Sequence, residues 1–207
     1  MDKVVEKDYE AAAKLLVEYI DEEPTDPLGF INLGNLLAAT DQEVEAERLF
    51  LRAIELDDQV ATAYYGLGNI YYNNGLYDQA EKMYQHCMKL GLDDADVFYM
   101  LGKTYVERED TLLALPFLQR ASELDKNPAT MFSYGLALAQ TNYLQEAKLV
   151  LEAVIDLDQD HADALYNLGI IAVHDDAFDN ALSYFERVLK LQPEHTLAQE
   201  AKANIMK

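Results

Sequence analysis

The chain has 207 residues, of which 16 are Lys or Arg and 38 are Asp or Glu, so its formal net charge is −22 and its isoelectric point about 4.3. A protein that binds nucleic acid needs Lys and Arg to neutralise the phosphates, so this charge excludes direct nucleic-acid binding. It also opposes binding to an anionic membrane surface. Half of the residues are hydrophobic, so the chain can nevertheless bury a core and is predicted to fold.

Cysteine content and the N-terminal residues predict where the protein resides. Cys87 is the one cysteine in the sequence, so the intrachain disulfides that are common in secreted scaffolds cannot form. Residues 1–8 lack the apolar core of a signal peptide, and no uncharged apolar run approaches the ~20 residues that cross a bilayer. We therefore expect a soluble, cytoplasmic protein.

Two ladders of small residues run through the chain at intervals of 33 or 34 positions. Bulky apolar residues recur at helical offsets around both ladders, so each interval is predicted to hold two amphipathic helices. Glycine inside a helix costs up to ~1 kcal/mol relative to alanine, so five glycines in register indicate close packing between helices. The ladders are Gly34, Gly68, Gly102, Gly135 and Gly169, and Ala12, Ala46, Ala80, Ala114, Ala147 and Ala181.

In chain order, the sequence predicts a single helix, five complete helix pairs and a polar closing helix. Both ladders lose one residue between the third and fourth pairs, which we assign to the turn at 125–128. Pro116 predicts a local irregularity in the third pair, because proline removes a backbone hydrogen bond. One pair cannot bury both of its apolar faces, so successive pairs must stack into a solenoid. The predicted segments are 1–26, 27–60, 61–94, 95–127, 128–161, 162–195 and 196–207.

The second pair carries a family motif, which reads Tyr64-x-x-Leu67-Gly68-x-x-Tyr71 and then Gly75-x-Tyr77-x-x-Ala80-x-x-x-Tyr84-x-x-Cys87. It resembles the consensus of the tetratricopeptide repeat (TPR) family, and the resemblance covers essentially the whole chain. More loosely, the chain resembles the small free-standing TPR proteins of Gram-positive bacteria. The resemblance implies an all-α fold, a right-handed TPR superhelix (α-solenoid) of antiparallel helix pairs, as a single array over residues 1–207.

Residues suited to catalysis or metal binding are scattered along the chain. Cys87 stands where other repeats have alanine, which predicts a buried, inert thiol. Asp156-x-Asp158-x-Asp160 copies the first ligand positions of an EF-hand loop, but the glycine and glutamate that such a loop needs are missing. We predict no enzyme, no metal site and no cofactor. The histidines fall in different repeats, at His86, His161, His174 and His195.

In the TPR family the first helix of each repeat lines a concave groove, so the resemblance implies where a peptide binds. Asparagines recur at equivalent positions of these helices, and an amide can pair with the backbone of an extended peptide. Aromatic residues recur at the fifth position of four successive repeats and predict platforms for peptide side chains. Alternatively, the asparagines are family background and the aromatics pack against neighbouring repeats. The predicted peptide-binding residues are Asn32, Asn35, Tyr65, Asn69, Tyr72, Asn73, Tyr99, Lys103, Glu107, Phe132, Tyr166 and Asn167.

The charge of the groove narrows the class of partner. TPR proteins that capture acidic C-termini carry Lys and Arg at the positions of Ile31, Asp96 and Met100, so that clamp is absent here although Asn35 is retained. Lys103 is the only basic residue among the groove positions. We therefore predict a non-catalytic adaptor or scaffold that binds a neutral or basic, partly apolar peptide segment of a protein partner, with no direct binding to nucleic acid or membrane.

Two alternative functions stay open at this point. In the first, the chain is a structural module that self-associates through its end helices, and the apolar side of the first helix is formed by Val4, Val5, Leu15 and Leu16. In the second, the chain is a regulatory subunit of a partner enzyme. These readings predict a monomer or a weak homo-oligomer.

Overall fold

The computed structural model describes residues 3–206, with side chains described from residue 8 onward. Within this range all regular secondary structure is helical. Inside each of the two compact units described below, helices that follow one another along the chain pack together and are joined by short connections. The predicted all-α fold of antiparallel helix pairs is therefore confirmed. None of the described helices is both long enough and apolar enough to traverse a membrane.

The chain divides into two compact units, of which the first ends at Arg108 and the second begins at Glu109. The segment boundaries and the single array predicted above stay predictions. Unit 1 contains α1 (Lys3–Glu22), α2 (Pro27–Ala38), α3 (Glu43–Leu56), α4 (Ala61–Asn73), α5 (Tyr77–Lys89) and α6 (Ala95–Glu107). Unit 2 contains α7 (Thr111–Leu124), α8 (Pro128–Gln140), α9 (Leu144–Leu157), α10 (Ala162–His174), α11 (Phe178–Leu191) and α12 (Thr196–Ile205).

Four of the five ladder glycines, Gly34, Gly68, Gly135 and Gly169, lie where a bulky side chain of the next helix approaches the backbone. A Cβ atom on Gly34 would lie 2.8 Å from the ring of Phe50, and one on Gly68 would lie 2.6 Å from the ring of Tyr84. Both rings are fully buried, so they have no room to withdraw. The predicted close packing of helices is thereby confirmed at these four glycines. In unit 2 the same contact joins Gly135 to Leu151 and Gly169 to Phe185.

The turn inside each helix pair contains one residue with positive φ at an equivalent position. Gly75 fills this position between α4 and α5 with φ +71°, where a glycine avoids the steric cost of a Cβ atom. The other turns use polar residues, of which Asp and Asn tolerate the left-handed region best. They are Asp41, Glu109, Asn142 and Asp176, with φ between 55° and 66°.

The connection between α7 and α8 is the shortest between successive pairs. It has three residues, 125–127, against four before α10, which confirms where the ladders lose a position. Asn127 caps α8 by accepting the backbone N–H of Ala129 at 2.8 Å. Pro116 lies inside α7, yet the helix runs unbroken. The carbonyl that loses its partner belongs to the exposed Leu112, where water can satisfy it, so the predicted irregularity is no break in the helix.

Candidate functional site

In unit 1 the candidate site is built on the first helices of successive pairs. Helix α4 contacts both α2 and α6, so its side chains lie near those of each neighbour. All nine predicted residues of this unit lie on these helices. Asn32 and Asn35 are exposed on α2, and the remaining seven are distributed between α4 and α6.

Asn69 on α4 holds the hydroxyl group of one tyrosine. Its Oδ1 accepts the hydroxyl of Tyr84 on α5 at 2.8 Å, and the ring centre of Tyr84 lies 5.9 Å from that of Tyr65. Burial raises the pKa of both tyrosines, and the Asn69 amide opposes this rise at Tyr65. The sequence placed Tyr84 only in the core. The available signal was that Tyr84 carries a hydroxyl where the equivalent positions hold Leu or Phe.

The side chain of Lys103 lies over the rings of Tyr72 and Tyr99, and Tyr77 and Glu107 contact Tyr72. We call Tyr72, Tyr77, Tyr99 and Glu107 the lysine cage. The Lys103 Nζ lies 5.3 Å from the ring centre of Tyr72 and 5.5 Å from that of Tyr99. The Tyr77 ring meets that of Tyr72 edge-on at 5.6 Å. The hydroxyls of Tyr72 and Tyr77 each approach one oxygen of Glu107 at 3.4 Å.

The surroundings of Tyr72 in the lysine cage raise its pKa. Burial and, next, the negative charge of Glu107 raise the pKa of Tyr72 to about 12, so its hydroxyl stays neutral at physiological pH. Tyr77 is not among the peptide-binding residues predicted from the sequence. The Gly75-x-Tyr77 part of the family motif was the signal that could have identified it.

The predicted asparagines of unit 1 differ in how they are engaged. Asn73 donates its amide to Glu43 on α3 at 3.1 Å, and the neighbouring Asn74 donates to the other oxygen of Glu43 at 2.8 Å. Asn32 and Asn35 are exposed, and neither makes a side-chain hydrogen bond to any residue from 8 to 206. Their amides are therefore available to a ligand, whereas that of Asn73 must first leave Glu43.

In unit 2 the predicted aromatics contact the histidines that immediately precede α10 and α12. The ring of Phe132 lies 4.7 Å from that of His161, and the ring of Tyr166 lies 5.0 Å from that of His195. Each histidine accepts the backbone N–H three residues later through Nδ1 and so caps a helix. Asn167 donates to the backbone of its own helix at 2.8 Å. These contacts match the alternative in which the aromatics pack between repeats.

Other chemistry-bearing residues make ordinary structural contacts. Cys87 is buried, its thiol donates to the carbonyl of Ala61 at 3.4 Å, and burial raises the pKa of this thiol to about 12, as expected of an inert core cysteine. Asp158 accepts the backbone N–H of Asp160 at 3.2 Å in an exposed turn. Across the described side chains, no three His, Cys, Asp or Glu residues are grouped closely enough to hold a metal ion.

Comparison with known proteins gives matches over most of the chain. Residues 59–127 and 144–196 match sequence models of the tetratricopeptide repeat. The crystal structure of YrrB, described as a TPR protein with an unusual peptide-binding site, is 37% identical, with a TM-score of 0.86 over 93% of this chain and 100% of that one. PilF of Pseudomonas aeruginosa shares the fold at 17% identity, with a TM-score of 0.81 over 97% of this chain and 92% of that one.

A curated mouse protein matches a shorter region. Protein O-mannosyl-transferase TMTC1 of Mus musculus is 34% identical over an alignment of 97 residues that covers 44% of this chain. The match spans only 10% of the length of TMTC1.

Proposed function

This chain belongs to the tetratricopeptide repeat family, whose fold is a protein–protein interaction module, and from that premise we propose that it is a non-catalytic adaptor that binds an extended peptide segment of a partner protein. The peptide lies along the first helices of the pairs, and in unit 1 these are α2, α4 and α6. It is neutral or basic and carries apolar or aromatic side chains.

One observation carries this proposal: α4 packs against both α2 and α6, and the three helices carry exposed amides on α2 and half-buried tyrosines on α4 and α6. Asn32 and Asn35 can donate to and accept from a peptide backbone. Each such bond contributes only ~0.5–1.5 kcal/mol, so the rings of Tyr65 and Tyr99 must supply apolar contact as well. YrrB, which is 37% identical over its whole length, is described as having a peptide-binding site, and this supports the same role here.

The charge of the site supports a neutral or basic ligand. Helix α6 carries the exposed carboxylates of Asp96 and Glu107, and Lys103 is the single basic residue on this helix. The chain as a whole carries −22 charges, which repel an acidic peptide at long range. An acidic C-terminal tail is therefore a poor partner.

Calorimetric titration with three matched decapeptides tests the proposal. The peptides alternate apolar residues with arginine, glutamine or glutamate, and we expect the arginine and glutamine peptides to bind while the glutamate peptide does not. Asn35→Ala and the double variant Tyr65→Ala with Asn69→Ala should each weaken binding. Because Asn69 also holds Tyr84, circular dichroism must show that the double variant keeps its helicity.

A matched control and the contrary outcome complete this experiment. Tyr143→Ala removes an exposed ring that lies at the start of a second helix, so it should leave the affinity unchanged. Binding of the glutamate peptide, or unchanged affinity in both Asn35→Ala and the double variant with helicity intact, would contradict a site on the first helices.

Self-association through α1 is a second candidate, favoured by the exposed apolar surface of this helix. Leu15 is 66% exposed and Val17 47% exposed, whereas Leu16 is half-buried. The side chains of Val4 and Val5, which belong to the same predicted surface, lie outside the described residues. Sedimentation at rising concentration tests this candidate: Leu15→Glu should abolish any dimer, and a wild-type chain that stays monomeric throughout would rule it out.

We further propose that the protein works in the cytoplasm. The unpaired Cys87, buried and without a disulfide partner in the sequence, supports a reducing compartment. Fractionation of cells that express the native gene tests this location, and recovery in a secreted fraction would contradict it.

A further inference from the structure

Lys103 is held by aromatic rings rather than by a carboxylate. It makes no ion pair with any residue between 8 and 206, even though Glu107 lies one turn further along the same helix. Its ammonium lies instead over the rings of Tyr72 and Tyr99, at 5.3 and 5.5 Å from their centres. The negative faces of tyrosine rings attract cations at such distances, so the ring cluster already functions as a cation site within the chain.

The Glu107 carboxylate of the lysine cage can still accept hydrogen bonds from a donor outside the chain. A hydroxyl that bonds tightly to a carboxylate lies about 2.5–2.7 Å from it, whereas the hydroxyls of Tyr72 and Tyr77 lie 3.4 Å from Glu107. Glu107 is also exposed, and the three rings are half-buried. A cation from outside can therefore reach both the rings and the carboxylate.

We infer that the lysine cage is a site for the guanidinium group of an arginine in the partner peptide, and that Lys103 occupies this site until the partner displaces it. This inference rests on the proposed function and names the chemistry of its ligand. Guanidinium is planar, stacks on aromatic faces and offers paired N–H donors that match a carboxylate. An ammonium satisfies only the cation–ring attraction, and it is strongly hydrated once it returns to water.

The order of affinities follows from this competition. Lys103 carries its ammonium on a flexible four-carbon stem, so it can leave without moving α6. Removing Lys103 leaves the cage empty and takes away a positive charge, and both changes favour an incoming arginine. Removing Glu107 takes away the paired acceptor and should weaken binding of arginine more than binding of lysine.

Binding of acetyl-Ala-Arg-Ala-amide to chains with isotope-labelled tyrosines tests the inference by nuclear magnetic resonance. The citrulline tripeptide is the neutral control, since it keeps the shape of arginine without its charge. Lys103→Ala should tighten binding of the arginine tripeptide by about threefold to thirtyfold. Lys89→Ala removes the same charge from an exposed position elsewhere in unit 1 and should change the affinity less than twofold. The ring signals of Tyr72, Tyr77 and Tyr99 should shift together.

Several results would overturn the lysine cage as an arginine site. These are equal affinity for arginine and citrulline, equal gains from Lys103→Ala and Lys89→Ala, or shifts confined to other tyrosines. Lys103→Gln provides a second variant with a side chain of similar shape if Lys103→Ala loses helicity. A lysine tripeptide that binds as tightly as the arginine tripeptide would overturn the preference for guanidinium.

The inference and the proposed function can fail separately. If the arginine decapeptide binds the wild-type chain but responds to neither Lys103→Ala nor Glu107→Gln, the cage fails and the adaptor function stands. If Lys103→Ala binds the arginine tripeptide while no decapeptide binds any chain, the cage stands and the extended groove fails.

Discussion

Phe50 lies between glycines of two successive helix pairs. A Cβ atom on Gly66 of α4 would lie 2.4 Å from the ring Cζ, which is closer than the 2.8 Å at Gly34 of α2. The ring itself is fully buried, so its neighbours on both sides have to be glycine. Of these two glycines, only Gly34 belongs to the glycine ladder of the sequence.

Gly66→Ala should therefore destabilise the protein, although alanine is the better helix former. Forcing a methyl group against a buried ring costs ~1–3 kcal/mol, which exceeds the ~1 kcal/mol gained in helix propensity. Chemical denaturation followed by circular dichroism measures the loss in the free energy of unfolding. Thr62→Ala, at an exposed position of the same helix, is the control and should cause no loss. A Gly66→Ala chain at least as stable as the wild type would contradict the contact.

Tyr84 predicts how stability depends on pH. Burial raises its pKa above the usual 10.0, so the folded chain keeps the hydroxyl proton in a range where the unfolded chain loses it. The resulting stability is fully present below pH 10 and is lost as pH rises above 10. Tyr84→Phe should be less stable at pH 7 by ~0.5–1.5 kcal/mol, because it lacks the bond to Asn69, but should lose less stability at high pH.

Denaturation midpoints between pH 7 and 11 check this expectation. Tyr143→Phe is the matched control, because its ring is exposed and should leave the pH profile unchanged. If the wild type and Tyr84→Phe lose stability in parallel above pH 10, the burial of this hydroxyl does not govern the alkaline limb.

At the residue scale, the sequence predicted where the candidate residues lie along the helices but not what they contact. Register within a repeat is enough to place Asn69 and Tyr99 on the first helices. The bond from Tyr84 to Asn69 depends on how far a tyrosine reaches past the backbone of Gly68, which spacing alone does not reveal. The bond from Asn73 to Glu43 crosses from one pair to the next and depends on rotamers for the same reason.

At the element scale, a residue with a side chain at positive φ in the turn inside a pair lowers the free energy of unfolding. Glu109 adopts φ 64° although glutamate avoids the left-handed region more strongly than asparagine does. Glu109→Gly should raise the free energy of unfolding by up to ~1 kcal/mol, and Asn142→Gly should raise it less. Thermal and chemical denaturation of the two variants measure the difference. A loss of stability in Glu109→Gly would show that the side chain contributes more than the backbone conformation costs.

Two helix starts have the capping residues that helix N-termini favour. Asp26 and Asn127 each precede a proline and cap the next helix through a side-chain oxygen, in line with the sequence preferences of helix starts. His161 and His195 also cap helices, but histidine is not a residue that those preferences select. Their role emerges only from the position of Nδ1 relative to the next backbone N–H.

At the scale of the whole chain, the repeat made the fold class predictable. A 34-residue period with two amphipathic stripes permits little besides stacked helix pairs, because each pair has apolar faces on both sides. The partner is far less predictable, since the same scaffold accommodates many ligands. Features such as the lysine cage require the actual positions of side chains.

The net charge predicts how partner binding responds to salt. The chain carries −22 charges, and screening shortens their reach from ~10 Å at 0.1 M salt to ~3 Å at 1 M. The affinity for the arginine decapeptide should therefore fall by about threefold to tenfold over this range. The glutamine decapeptide is the neutral control and should bind with nearly constant affinity. If both peptides respond alike, the acidity contributes to solubility rather than to attraction of the partner.

The contacts between the ladder glycines and the rings also bear on how the protein is made. Gly68 and Tyr84 are neighbours in the core and are also close along the chain, and the same holds for Gly34 and Phe50. Contacts of such short sequence separation form quickly, because little chain entropy is lost in closing the loop. At ~5–20 residues per second, a ribosome releases a 34-residue pair in about 2–7 s. Each helix pair can therefore close before the next one has left the ribosome, which shortens the exposure of its apolar faces to other nascent chains.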